Sequence, residues 1–223
     1  MAKPLIVVNF KTYAEATGPH AERLAMVCEK AGKAAGAPIW VAVQAFDVFR
    51  VAQHVGIPVF GQHVENVQAG AFTGSLLPEA LRGAGAKGSL LNHSERRIPL
   101  AEIKELVLRL RRLSLTSIVC ANTPGMARDI VACRPDFLAL EPPELIGGDV
   151  SVSTAKPEEI QAAFEVVSGT GVKLLVGAGV KTVRDVKTAC ALGAVGVLLA
   201  SGVTKAKDPA AVLRDLALLG AEH

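Results

Sequence analysis

The 223-residue chain is half apolar and 20% charged, and its 24 Lys plus Arg against 21 Asp plus Glu leave a formal net charge of +3. That balance excludes a disordered chain, and scattered basic residues with one Trp and one Tyr exclude a nucleic-acid partner. Mean hydropathy is high at +0.37, yet no window approaches the roughly 20 consecutive apolar residues that span a bilayer, so no membrane partner is expected.

In chain order, short apolar and β-branched runs alternate with helical patterns. The runs are Leu5–Phe10, Ile39–Val43, Pro58–Val64, Gly88–Asn92, Ser117–Ala121, Phe137–Leu140, Lys173–Val176 and Val195–Ala200. Most are continuously apolar, as strands buried on both faces are. Ala21–Ala35 and Leu100–Leu113 space apolar residues three and four apart, which predicts amphipathic helices. Pro78, Pro124, Pro157, Thr182 and Pro209 stand where further helices start, and Phe46–His54 leaves room for a short one. Eight such units predict an α/β fold, a closed (β/α)8 barrel, as a single domain over residues 1–223. An open doubly wound sheet would need a glycine-rich first turn for a dinucleotide; the chain has Asn9-Phe10-Lys11-Thr12-Tyr13 instead. Cys28, Cys120, Cys133 and Cys190 show no C-x-x-C spacing. They read as reduced, packed thiols without a metal, and with no signal-peptide pattern at Met1–Pro4 the expected location is cytoplasmic.

Active sites of such barrels lie at the C-terminal ends of the strands. There the chain places Asn9 and Lys11, Gln62-His63, Asn92-His93-Ser94-Glu95, Glu141, Gly177-Ala178-Gly179 and Ala200-Ser201-Gly202. Asn9 and Lys11, two apart, should share the inner face of strand one. Lys11 reads as a permanent charge holding an anion; a carboxylate-paired structural lysine and a Schiff-base lysine are the competing readings. His93 stands before Ser94-Glu95 at an expected helix N-terminus, whose N–H groups favour a neutral imidazole that donates to a carbonyl. A packed histidine is the plain alternative. Glu95 competes as a base but reads better as a salt-bridged helix-start carboxylate. Glu141 leaves an apolar run, which is costly unless it is functional or paired; a strand-exit charge is the alternative. The sequel Pro142-Pro143-Glu144-Leu145-Ile146-Gly147-Gly148 reads as a lid, with a proline-stiffened hinge, an apolar tip, a glycine hinge and a solvated Glu144. The two small-residue triplets after strands seven and eight suit a phosphate, whose oxygens backbone N–H groups would approach.

Asn9-Phe10-Lys11, Asn92-His93-Ser94-Glu95-Arg96-Arg97 and Leu140-Glu141-Pro142-Pro143-Glu144-Leu145-Ile146-Gly147 together resemble the triosephosphate isomerase family. Gly177-Ala178-Gly179-Val180 and Leu198-Leu199-Ala200-Ser201-Gly202 fit it too, so the resemblance runs the length of the chain. The short length, Asn92 before His93 and the Pro-Pro-Glu-Leu-Ile lid are similar to its archaeal branch. The resemblance implies a TIM barrel that interconverts the small phosphorylated trioses dihydroxyacetone phosphate and D-glyceraldehyde 3-phosphate, in glycolysis and gluconeogenesis, with no cofactor or metal. It implies Glu141 as the base, His93 as the electrophile at the carbonyl, Lys11 as the charge on phosphate and enediolate, and Asn9 as a substrate hydrogen-bonder. Ile146, Gly179, Ala200 and Ser201 are implied ligand contacts, the last three around phosphate. A homo-oligomer, dimer or tetramer, is also implied, because Gln68–Leu77 with Thr73 resembles the family's dimer arm. One departure stands out: Gly147-Gly148-Asp149 replaces the family's common Gly-Thr-Gly. Two other functions compete, another phosphate-binding barrel enzyme (a sugar-phosphate epimerase or tryptophan-pathway type) and a non-catalytic binding barrel.

Overall fold

Strands with apolar residues on both faces need cover on both, and the eight runs obtain it by closing on themselves. The computed structural model describes residues 3–145 and 151–217. Among these, β1 (Leu5–Asn9), β2 (Ile39–Val43), β3 (Val59–Gly61), β4 (Gly88–Leu91), β5 (Thr116–Ala121), β6 (Phe137–Leu140), β7 (Lys173–Val176) and β8 (Gly196–Leu199) pair in parallel, in sequence order, as a closed barrel. Closure joins β1 to β8 in the register Leu5 to Gly196 through Val8 to Leu199.

The pleat sorts each strand's side chains into two cores. Leu5, Val7, Ala42, Phe60, Leu90, Ile118, Cys120, Phe137, Ala139, Leu175 and Leu198 fill the barrel interior. Their alternates, such as Ile6, Val8, Val41, Val119, Leu138 and Val197, pack outward against the helices. Each such large side chain contributes about 1.5–3 kcal/mol by leaving water. At the N-terminal end Trp40 stacks on Phe60 at 5.0 Å between ring centroids and meets Phe137 edge-on at 5.4 Å.

The covering helices are α1 (Pro19–Ala35), α2 (Ala45–His54), α3 (Pro78–Gly83), α4 (Leu100–Arg112), α5 (Pro124–Val131), α6 (Val152–Ala155), α7 (Pro157–Val167), α8 (Val183–Ala191), α9 (Ser201–Thr204) and α10 (Pro209–Ala217). The prolines singled out in the sequence begin their helices, where a missing N–H costs no hydrogen bond. Thr182 caps α8 in a reciprocal capping box with Asp185.

Three local expectations fail for identifiable reasons. β3 is shorter than Pro58–Val64: the ladder covers Val59–Gly61, and beyond it the Gln62 side chain hydrogen-bonds Asn9 and Lys11 across the barrel mouth. No helix starts at Ser94-Glu95: His93–Arg96 form a turn closed by Arg96 N–H on the His93 carbonyl at 2.8 Å. Pro99 disfavours helical backbone at Ile98, so α4 waits until Leu100. Finally, β1 ends at Asn9, and Lys11 has φ 48, so strand alternation does not place its side chain.

Candidate active site

The C-terminal mouth of the barrel gathers Asn9, Lys11, His93, Glu141, Gly179, Ala200 and Ser201 around one pocket. Asn9, inward-facing and buried, accepts the Lys11 N–H at 3.0 Å and the Gln62 Nε2–H at 3.2 Å on its Oδ1, and among the described residues its NH2 is left for a ligand. Lys11 reaches the pocket through its left-handed backbone. Its Nζ lies 2.7 Å from Glu95 Oε1, so the carboxylate pairing weighed for it exists, and Glu95 is salt-bridged as expected although it starts no helix.

His93 is buried behind Glu95. The Glu95 N–H donates to His93 Nδ1 at 3.2 Å, which puts the imidazole proton on Nε2. The role expected of a helix N-terminus thus falls to a single backbone N–H in a turn. Nε2 lies 3.6 Å from Glu141 Oε2. Asn92 holds this turn: with φ 57, it accepts the Ile98 N–H at 3.1 Å and donates to the Cys120 carbonyl at 2.9 Å.

Glu141 is 5% exposed, and among the described residues its buried Oε2 has no hydrogen-bond partner. A carboxylate oxygen buried in that state costs several kcal/mol unless a ligand uses it. Gly177 makes room for it: a Cβ at Gly177 would stand 2.5 Å from Glu141 Cγ and 2.7 Å from Oε1. Beneath lies Cys120, whose thiol is pushed well above its usual range by burial and then by the Glu141 carboxylate. Behind His93, Arg97 donates to the Asn92 carbonyl at 2.9 Å, and burial lowers its guanidinium from the usual value.

On the far wall Ala178 and Gly179 both have positive φ, 69 and 67. Ala200 precedes the one-turn α9, so the first N–H groups of that turn have no carbonyl of their own to bond. Tyr13 and Lys181 complete the wall. These two, with Gln62, Gly177, Cys120 and Arg97, are site residues to which the sequence reading gave no such part. Gly177 carried a signal, as the first glycine of a strand-end triplet, but was read only as part of a phosphate turn.

The lid segment is described in part. Pro142 is buried and Pro143–Leu145 form a 3₁₀ turn. Glu144 is exposed as expected and is also paired with the Lys156 ammonium. Leu145 packs against the outer core rather than standing at a free tip. Ile146, Gly147 and Gly148, the remaining lid and contact residues, lie outside the described residues.

A family model described as triosephosphate isomerase matches residues 4–216. Triosephosphate isomerase of Methanoculleus marisnigri is 47% identical, with 98% of this chain and 100% of that protein covered. The enzymes of Methanothermus fervidus and Methanosarcina acetivorans are 47% and 43% identical, each covering 97% of this chain and 98% of their own.

Proposed function

Because the chain belongs to the triosephosphate isomerase family and interconverts dihydroxyacetone phosphate and D-glyceraldehyde 3-phosphate, we propose that Glu141, His93 and Lys11 carry that reaction. The observation that supports this assignment is the buried, unpartnered Glu141 Oε2 only 3.6 Å from His93 Nε2. A ligand lying across both groups from the pocket would offer a C–H to the carboxylate and a carbonyl oxygen to the imidazole N–H.

Glu141 takes the proton from the carbon beside the carbonyl, and the C–H electron pair becomes the enediolate. His93 donates from Nε2 to the oxygen on which charge develops, and its Nδ1 is kept as acceptor by the Glu95 N–H. Lys11 offsets the growing negative charge, and Asn9 donates its free NH2 to a substrate oxygen. His93 passes its Nε2 proton to the oxygen on which charge develops and takes the proton of the neighbouring hydroxyl in its place, while Glu141 returns the carbon-derived proton to the neighbouring carbon, which exchanges ketose for aldose. Gly179, Ala200 and Ser201 hold the phosphate through backbone N–H groups, and the Pro142–Gly148 segment covers it. Glu141→Asp tests the base: retracting the carboxylate by about 1 Å should lower kcat roughly 100-fold with a much smaller change in KM. Turnover near that of the parent would move the base elsewhere, to Glu95 first.

Self-association and a cytoplasmic location belong to the same proposal. Phe46 is 97% exposed and Phe72 49% exposed, and Phe46 lines a second cleft with Leu76, His63 and Arg96 at the rim of the site. Large exposed aromatics beside a catalytic rim suit a second copy of the chain. Light scattering behind size exclusion should give a dimer or larger; a fully active monomer at micromolar concentration would refute it. The four free thiols suit a reducing compartment.

A further inference from the structure

The opposite, N-terminal mouth of the barrel holds a cleft of about 530 Å³, within the roughly 300–1,000 Å³ usual for small-molecule sites. Two kinds of group line it. Trp40 and Phe137 form an aromatic floor, and Arg111, Arg134 and Lys173 surround it with positive charge. Asp136, the carboxylate lining the same cleft, is already engaged: its Oδ2 accepts both the N–H and the O–H of Ser117 at 2.8 Å.

The aromatic floor is not simply barrel filling. Phe60, behind it, is 1% exposed, whereas Trp40 is only half-buried and lines the cleft. Among the described residues no protein acceptor takes the Trp40 indole N–H, and that atom is not buried, so it is open to water or to a ligand. The cations converge for structural reasons of their own. Arg111, in the last turn of α4, donates across the cleft wall to the Arg134 carbonyl. Lys173, the first residue of β7, stands 5.5 Å above the Phe137 ring. A part-exposed indole, an open N–H donor and three cations fit a planar ring that carries an anionic group: the ring packs on Trp40, and the guanidinium and ammonium groups take the anion.

We propose that this N-terminal cleft is a second ligand site, distinct from the isomerase pocket, for an aromatic or heteroaromatic phosphate. Trp40 is the single tryptophan of the chain, so intrinsic fluorescence reads this cleft directly. Adenosine monophosphate is the probe, with adenosine and inorganic phosphate as separate arms. Titration of the full chain with the nucleotide should quench Trp40 saturably, with a midpoint below about 1 mM. Neither adenosine nor phosphate alone should match it. Arg111→Ala and Lys173→Ala, both at exposed side chains, should each raise the midpoint about three- to tenfold. Isomerase kcat and KM should be unchanged in both, because neither residue touches the catalytic pocket. Three outcomes overturn the proposal: no saturable quenching, a midpoint that neither substitution moves, or phosphate alone binding as well as the nucleotide.

Discussion

Both ends of the barrel place non-glycine residues at positive φ, and the difference between the ends lies in what those residues serve. At the N-terminal end Ser114 and Arg134 follow α4 and α5 and terminate helices. At the C-terminal end Lys11, Asn92 and Ala178 follow β1, β4 and β7 and turn side chains or backbone toward one pocket. Satisfaction of polar groups divides the same way. Below, Ser117 and Asp136 exchange hydrogen bonds in both directions. Above, Arg97 Nη2, Asn122 Oδ1 and Glu141 Oε2 are buried without a partner among the described residues, which costs about 1–3 kcal/mol for a neutral group and more for a charged one. The end that carries chemistry keeps unspent polarity, and the stability that tolerates it comes from the filled interior.

The contrast can be broken from either end. Phe60→Ala empties the floor beneath Trp40 and should destabilise the protein by about 3–5 kcal/mol in denaturant unfolding, while kcat of the remaining folded enzyme changes only a fewfold. Gly177→Ala should do the reverse. Its Cβ would displace Glu141, so kcat should fall about 10- to 100-fold, with the melting temperature little altered; parent-like turnover would show that Glu141 tolerates the shift. The smallest effect concerns pH. Burial first, and then Arg96, lower the His63 pKa from 6.5 to about 4. Between those values the unfolded chain binds the proton and the folded chain does not, so His63 lowers stability as pH falls from 6.5 to about 4. His63→Gln should flatten the decline of melting temperature over that window.

The barrel was legible because its signals are local: continuously apolar runs, prolines at helix starts and Thr182 at the start of α8 each lie within a few residues. Lys11, His93 and Glu141 were legible as strand-end residues, since closure brings strand ends together whatever their sequence separation. What escaped depends on partners across the mouth. The three acceptors of Gln62 Nε2, on Asn9, Lys11 and Ala42, come from β1, β2 and the loop after β1. The space at Gly177 is defined by the Glu141 side chain just after β6, and the turn at His93 by an Asn92 bond to Ile98 and a proline beyond it. None of these has a periodicity, so each becomes visible only when register places the neighbour.

The seam between β1 and β8 has a consequence for biosynthesis. Leu5 pairs with Gly196, so the first strand to leave the ribosome waits for the last before its second edge is covered. The approach there is close: a Cβ on Gly196 would stand 2.0 Å from the Leu5 carbonyl oxygen. Until that glycine arrives, β1 presents an apolar strand with open N–H and C=O groups, the form most prone to pair with another nascent chain. This seam is the most non-local of the barrel's strand pairings. A ribosome that stalls before residue 196 leaves an unclosed sheet rather than a smaller barrel.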